Sequence, residues 1–334
     1  MKIKEVIYFL DQIAPPQLQE DYDNSGLQVG DPESEVTGIL CCLDSTEEVV
    51  KEAEQKGCNL VLAHHPLLFR GLKRISTDHY VERTVVSAIK KDIAIFAVHT
   101  NLDKVLNNGV NEVIAKRLGL SDITPLKVTH NMLSFSFYLE RPVNDDLTGS
   151  LKEFCTNVYG TAGASGSIRI QGTFSSLLKE RFKKFLNLYD IAESEIEFKE
   201  LQNPDRSVGI GLVGQMPAAV EEKIFLDLLK NRLRTKIVRH SPLVGQSVHK
   251  VAICGGAGSF LISNAIKAGV QAFVTSDLKY HDFFEADTKL ILCDVGHYES
   301  EQFTIELLHK LINEKFTNFA AYLTEVNSNP VNYR

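Results

Sequence analysis

The chain has 334 residues, of which 44% are hydrophobic and 24% charged, a composition typical of a soluble folded protein with two or three domains. Its 36 Lys and Arg residues against 43 Asp and Glu residues give a formal net charge of -7, which provides no overall positive field for extended nucleic-acid binding. The apolar stretches are shorter than the ~20 residues of a membrane helix, and charges occupy the N-terminal region where a signal peptide would be apolar. We therefore expect a cytoplasmic protein.

Cysteine usage agrees with a reducing compartment. The sequence contains six cysteines and no CxxC pair, and four of the six lie in apolar, strand-like runs. We expect reduced thiols that act as small packing residues. They are Cys41, Cys42, Cys58, Cys155, Cys254 and Cys293.

Up to about residue 120, short apolar runs alternate with amphipathic segments. The pattern predicts strands at 36–43, 60–63 and 93–98 and helices at 46–56 and 80–91. Strands that are apolar throughout are typical of a parallel sheet that helices cover on both faces. The first part of the chain is therefore predicted to be α/β.

The same alternation returns near the C-terminus. Apolar runs at 250–254, 271–275 and 289–293 predict buried strands, and residues 300–315 predict a strongly amphipathic helix. The sequence thus predicts two βα-rich lobes with largely parallel sheets, at residues 1–125 and 207–334.

The middle of the chain has a different pattern. Residues 126–206 contain longer alternating runs, at 132–139 and 167–174, and a polar, glycine-rich loop at 160–166. Chain termini of compact domains often lie close together, so an insertion of this size into a host domain is physically reasonable. We interpret the segment as an inserted α+β module; the alternative is a third layer of one large domain.

Histidines and carboxylates follow several of the predicted strands. His64 and His65 come directly after strand 60–63, at the edge where ligands bind in parallel sheets. Neutral imidazoles are common ligands of divalent metals, although an isolated pair of histidines could equally lie in a solvated turn.

The next strand favours the metal interpretation. Strand 93–98 is followed by His99 and Asp103, of which Asp103 is the better candidate ligand and His99 a candidate partner that orients a ligand.

Two further loops carry similar residues after strands 289–293 and 271–275. His297 and Glu301 are four positions apart, so a helix that begins near residue 296 would bring both to one face. Glu299 lies off that face and is interpreted as a charge near the helix N-terminus. The other loop contributes Asp277 and His281. Four strand ends of this kind at one edge of the fold predict a common site.

The predicted ligands are imidazoles and carboxylates, without a thiolate. This donor set suits Zn best and leaves Mn, Fe and Ni open. At least five candidate ligands exceed the three that usually hold one catalytic zinc ion, so we predict two divalent ions that activate a shared water. The remaining histidines are interpreted as surface or packing residues; they are His79, His130, His240, His249 and His309.

Six motifs in this order resemble the NIF-three-like dinuclear metal-centre proteins, also called GTP cyclohydrolase I type 2 homologs. The resemblance covers about residues 1–125 and 207–334. The motifs are DYDNSGLQVG (21–30), LAHHPLLF (62–69), HTNLD (99–103), ICGGAGS (253–259), TSDLKYHD (275–282) and GHYESE (296–301).

The resemblance implies a ligand set, an architecture and an assembly. It implies the same five metal ligands that the strand ends suggested, and these are His64, His65, Asp103, His297 and Glu301. It also implies paired α/β lobes and a toroidal homohexamer, and the middle segment is similar to the PII-like or CutA-like modules of some bacterial members. One departure is Ser276, where the family often has glycine, so the same backbone turn is not assumed there.

The activity that the resemblance implies is the opening of the GTP purine ring by a metal-activated water, with His99 or His281 as proton carriers. The loop from Gly255 to Gly258 could cradle a phosphate or could simply be a tight turn after a strand. Two other functions remain open: a metal-dependent phosphoesterase, and a non-catalytic metal-binding or regulatory protein. A small molecule or a nucleotide is the expected ligand, and neither a membrane nor nucleic acid is.

Overall fold

The computed structural model describes residues 1–139, 145–162 and 167–334. Contacts between Cα atoms divide the chain into two compact units. The host unit consists of residues 1–127 and 210–334, and the insert unit consists of residues 128–209. The change in sequence pattern predicts the insert at 126–206. Of its predicted loop at 160–166, residues 163–166 lie outside the described part of the chain, whereas 160–162 end a strand.

The first part of the host unit has the predicted alternation of strands and helices. The helix predicted at 46–56 begins as expected, because the Thr46 hydroxyl accepts a hydrogen bond from the Val49 amide and caps the first turn. The strands are β1 (Gly26–Val29), β2 (Gly38–Cys42), β3 (Leu60–Ala63), β4 (Ala94–Ala97) and β5 (Ser121–Val128). The helices are α1 (Ile3–Ile13), α2 (Glu47–Gln55), α3 (Tyr80–Lys90), α4 (Thr100–Asp103) and α5 (Val110–Leu118).

The insert unit is an antiparallel sheet packed against helices. Its strands are β6 (Asn131–Leu139), β7 (Asn157–Ala162), β8 (Ile168–Ser175) and β9 (Glu197–Pro204), and its helices are α6 (Asp145–Phe154) and α7 (Lys179–Asn187). The sheet order is β7-β8-β6-β9. Alternate residues of β6, from Leu133 to Leu139, are buried in one core with Phe182 and Leu186 of α7. The segment is therefore α+β, and its similarity to a PII-like or CutA-like fold stays a prediction.

The second part of the host unit returns to βα units. Its strands are β10 (Gly209–Val220), β11 (Arg239–His240), β12 (Val248–Ala257), β13 (Ala272–Ser276), β14 (Ile291–Asp294) and β15 (Ala320–Leu323). Its helices are α8 (Glu222–Leu233), α9 (Ile262–Lys267), α10 (His297–Glu301) and α11 (Thr304–Lys315). The single helix predicted over 300–315 is wrong at its start. The chain turns at Gln302 and Phe303, where Phe303 is buried beneath the Arg117 guanidinium.

Two sheets form the host unit and share one core. The first has the order β1-β4-β3-β2-β15 and is parallel except for β1. The second has the order β11-β14-β13-β12-β10-β5, and its central strands β12, β13 and β14 are parallel. Inward residues of both sheets pack together in the largest apolar cluster, as Leu62 and Val274 illustrate, and two smaller clusters cover the outer faces. The predicted α/β class with largely parallel sheets is confirmed.

The predictions from composition concerned the cysteines and membrane-spanning helices. All six cysteines are free thiols, and all but Cys155 are buried. Within the described residues, no helix combines the length and the apolar character that crossing a membrane requires.

Candidate metal centre

The carboxyl ends of the parallel strands bring most of the predicted site residues together. His64 and His65 follow β3, and Asp103 ends the short helix α4 that follows β4. From the second sheet, His297 begins α10 directly after β14. The site therefore combines loops from both sheets of the host unit.

Glu301 lies at the middle of this cluster. Its side chain is 3% exposed, and its Oε2 atom lies 2.9 Å from His65 Nε2 and 3.1 Å from His297 Nε2. The spacing of four between His297 and Glu301 thus brings both side chains to one point, as the helical pattern predicts. The other oxygen, Oε1, lies 3.8 Å from His64 Nε2, which is too long for a hydrogen bond.

Two buried polar atoms face each other without a partner. The His64 ring is completely buried, and its Nδ1 donates to the Val98 carbonyl at 2.8 Å, so that Nε2 is the acceptor of the neutral ring. Among the described residues, neither His64 Nε2 nor Asp103 Oδ1 has a hydrogen-bond partner, and the two atoms are 3.7 Å apart. An unsatisfied buried polar group costs about 1–3 kcal/mol. Two acceptors that converge in this way fit a cation between them.

The chemistry of the surrounding ligand atoms also fits a cation. Ligand atoms of His64, His65 and Glu301 all lie within 4.8 Å of one another, so this cluster could hold a metal ion. Imidazole nitrogen and carboxylate oxygen are the usual ligands of Zn²⁺ and related divalent ions.

Each of three histidines is held by an aspartate on its Nδ1 atom. The distances are 2.7 Å from His65 to Asp44, 2.7 Å from His297 to Asp277, and 2.8 Å from His99 to Asp23; all three join Nδ1 to a carboxylate oxygen. A carboxylate at Nδ1 fixes the tautomer and directs Nε2 away from it, as the outer partners of metal-binding histidines do.

These carboxylates strongly perturb the proton affinities of the site. Burial disfavours a protonated His65, but its hydrogen bonds with Asp44 and Glu301 outweigh burial and raise its pKa to about 10. The same balance, with Asp277 and Glu301, raises the pKa of His297 to about 11. Burial would raise the pKa of Glu301, yet its histidine partners hold that pKa well below its usual value.

Comparisons with known proteins identify the family of this chain. The sequence profile of the Duf34/NIF3 (NGG1p interacting factor 3) family matches residues 1–330. The chain belongs to this family.

Relatives of the family resemble the chain along its whole length. A Staphylococcus epidermidis protein named "GTP cyclohydrolase 1 type 2 homolog" is 29% identical, with complete coverage of both chains. The solved structure of a Bacillus cereus protein related to NIF3 has a TM-score of 0.84 and 27% identity, and it covers 100% of this chain and 99% of its own. A Staphylococcus aureus protein has a TM-score of 0.81 and 28% identity with the same coverage.

Two supporting carboxylates of this Duf34/NIF3 chain were not among the predicted site residues. Asp23 precedes β1 and supports His99, whose ring centroid lies 5.4 Å from those of both His64 and His65. Asp44 follows β2 and supports His65. Asp44 carries the signal that identified the others, because it lies just past an apolar strand. Asp23 lies in the first of the six motifs, but no strand precedes it.

The two candidates in the loop after β13 have different positions. Asp277 supports His297 and has a left-handed backbone with φ of +56°. The residue before it, Ser276, ends β13 fully buried and is not itself left-handed, so the serine at this position is compatible with the turn. His281 does not join the cluster: it is exposed in a 3-10 segment, where its ring contacts those of Tyr280 and Phe284.

The glycine-rich loop approaches the cluster by its backbone. The amide of Gly255 donates to Asn111 and that of Gly256 to the Ser300 hydroxyl, so these two donors are not available to a phosphate. Gly256 has φ of +62°, and a Cβ atom there would lie 2.5 Å from Glu301 Oε1. The loop therefore serves close packing against Glu301, which favours the tight-turn alternative.

This packing predicts the effect of Gly256→Ala. We expect it to displace Glu301 and to weaken Zn²⁺ binding at least tenfold, roughly the effect of losing a partner of a ligand. Gly57→Ala is the matched control, because Gly57 has φ of +68° but a Cβ atom added there would meet no other atom within 4 Å. Both variants should lose about 1–2 kcal/mol of stability from left-handed strain. Equal Zn²⁺ affinity in the two variants, measured by chelator competition, would contradict this role for Gly256.

Two cavities reach the cluster. One of about 450 Å³ is lined by His99, Asp103 and Glu301. The second, of about 500 Å³, is lined by Asp277, and both cavities share Asp44, His65 and His297. Volumes in this range suit small-molecule ligands.

Proposed function

We propose that this Duf34/NIF3 chain is a dinuclear metal-dependent hydrolase that acts on a nucleotide-like substrate. The observation that carries the proposal is that the two Glu301 oxygens face different pairs of side chains. Oε2 faces His65 and His297, whereas Oε1 faces His64, which in turn faces Asp103. One carboxylate between two ligand pairs is the arrangement expected of a bridge between two cations.

Two divalent ions held by these five residues would supply Lewis acidity and lower the pKa of a water nucleophile. Zn²⁺ suits the donors best, and Mn, Fe and Ni are alternatives. The protein's own contribution is orientation: Asp44 and Asp277 hold the rings of His65 and His297, and the buried Val98 carbonyl holds His64. His99, which Asp23 orients at the edge of the 450 Å³ cavity, is the better placed of the two candidate proton carriers.

The substrate class is supported by the walls of the same cavity. Tyr22, Phe69 and Phe260 line it and are 64%, 46% and 56% exposed, and planar bases bind to such aromatic surfaces by stacking. The name of the staphylococcal relatives, a GTP cyclohydrolase homolog, agrees with a purine nucleotide. A cytoplasmic homohexamer remains the assembly and location that the family resemblance predicts.

The test is metal analysis of the purified protein, followed by a product screen against GTP, other nucleotides and phosphodiesters. We expect about two metal ions per chain and turnover that His64→Ala abolishes. His281→Ala is the matched control, because this exposed histidine lies outside the cluster. Turnover that survives His64→Ala would refute a hydrolase at this centre, and bound metal without turnover on any substrate would favour a regulatory metal-binding protein.

A further inference from the structure

The segment formed by residues 324–334 runs beside the metal centre and is attached to the host unit at several points. It continues from β15, whose residues pair in parallel with β2, and the Thr324 amide donates to the Cys41 carbonyl at 3.0 Å. Glu52 of α2, which is only 8% exposed, accepts hydrogen bonds from the Thr324 hydroxyl and the Glu325 amide. These contacts fix the path of the segment as it leaves the sheet.

Four residues further on, the segment reaches a supporting carboxylate of the site. The Ser328 hydroxyl donates to Asp44 Oδ2 at 2.6 Å, while Asp44 Oδ1 lies 2.7 Å from His65 Nδ1. Both oxygens of Asp44 are therefore engaged, one by the segment and one by the histidine. His65 Nε2 then faces Glu301 at 2.9 Å.

The neighbouring Asp23–His99 pair is built in the same way. Asp23 Oδ1 holds His99, and Asp23 Oδ2 receives the hydroxyls of Ser25 and Thr100, at 2.8 and 2.5 Å. A hydroxyl thus fixes the far oxygen of the aspartate in both pairs. The two pairs differ in the position of the hydroxyl along the chain. Ser25 lies two residues from Asp23, whereas Ser328 lies 284 residues from Asp44.

We propose that Ser328 is a positioning residue of the metal centre, which it serves by holding Asp44 and thereby the orientation of His65. The inference rests on the metal centre proposed above. Because coupling between two events is reciprocal, the contact that strengthens metal binding also makes the bound metal stabilise the 324–334 segment. The segment and the metal therefore act on each other through one hydrogen-bonded chain from Ser328 to His65.

The test is Zn²⁺ affinity, measured by chelator competition on the full chain. We expect Ser328→Ala to weaken binding about tenfold, the lower end of the effect of removing a partner of a metal-binding histidine. Ser328→Thr retains the hydroxyl and should restore most of the affinity. Val331→Ala is the matched control in the same segment, because its apolar side chain is 54% exposed and makes no hydrogen bond.

A second measurement separates a positioning role from a general loss of stability. Hydrogen exchange of residues 324–331 should slow when Zn²⁺ is added to the unsubstituted protein, and should respond much less in Ser328→Ala. Wild-type Zn²⁺ affinity in Ser328→Ala, or the same loss in Val331→Ala, would overturn the inference. The proposed metal centre fails separately, if the unsubstituted chain binds Zn²⁺ no better than His64→Ala.

Discussion

Glu301→Gln is expected to abolish tight metal binding, with a loss of at least about 100-fold in Zn²⁺ affinity, the upper end of what removing even an outer partner costs. The side chain is buried, and both of its oxygens face ligand groups. The glutamine side chain keeps one oxygen acceptor but replaces the other carboxylate oxygen with an NH₂ group. One of the two proposed cation positions would then face N–H hydrogens where a metal ligand must offer a lone pair. Metal content after gel filtration and chelator competition measure the loss.

Glu299→Gln is the matched control for this substitution. Glu299 lies on the same short helix and is 7% exposed, but its Oε1 accepts from the Asn329 side-chain Nδ2 at 3.2 Å rather than facing the cluster. A glutamine there still offers an oxygen acceptor, so metal binding should be unchanged. If Glu301→Gln retained the metal content of Glu299→Gln, the metal would have to lie elsewhere in the chain.

Metal affinity should rise steeply with pH. In the metal-free protein the pKa of His65 is raised to about 10 and that of His297 to about 11, so both rings carry an extra proton at neutral pH. Each must release a proton before it can bind a cation. Two protons released per chain correspond to an increase of about 100-fold in affinity per pH unit between pH 7 and 9.

The stability of the metal-free protein should change in the opposite direction. A raised pKa in the folded state stabilises the fold fully below the unfolded value of 6.5, and this stabilisation is lost as the pH rises through about 10. Thermal unfolding in a chelator should therefore show the midpoint fall from pH 6.5 to 10. At saturating Zn²⁺ the midpoint should stay nearly constant over pH 7 to 9, because both histidines are then deprotonated in the folded and in the unfolded state. Metal affinity that does not change with pH, measured by chelator competition, would contradict the protonated state of these rings.

The sequence was informative where chemistry followed a local pattern. His64, His65 and Asp103 could be found because apolar runs mark the strands that end just before them, and the four-residue spacing of His297 and Glu301 needs only one helical turn. Asp23 could not be found in this way, because its role depends on a hydrogen bond to His99 across 76 residues of sequence. Ser328 is further still from its partner.

The position of His281 and the strand β1 depend on tertiary structure, which the local sequence pattern does not reveal. His281 follows a strand like the true cluster members, but the left-handed backbone at Asp277 turns the chain into a 3-10 segment that holds the ring in an exposed aromatic group. The edge strand β1, which pairs in antiparallel register with β4, is short and carries no apolar run that distinguishes it from a loop. Pairing partners of this kind are decided by the packed sheet rather than by local propensity.

The ligands of the centre come from two stretches of chain that the insert separates. His65 and Glu301 are 236 residues apart in the sequence, so they meet only after most of the chain has been synthesised and a long loop has closed. A nascent chain that ends before His297 contains three of the five proposed ligands and lacks Glu301. On the proposed ligand set, a chain that ends before His297 should therefore bind the metal poorly, whereas a chain that extends past Glu301 contains all five residues.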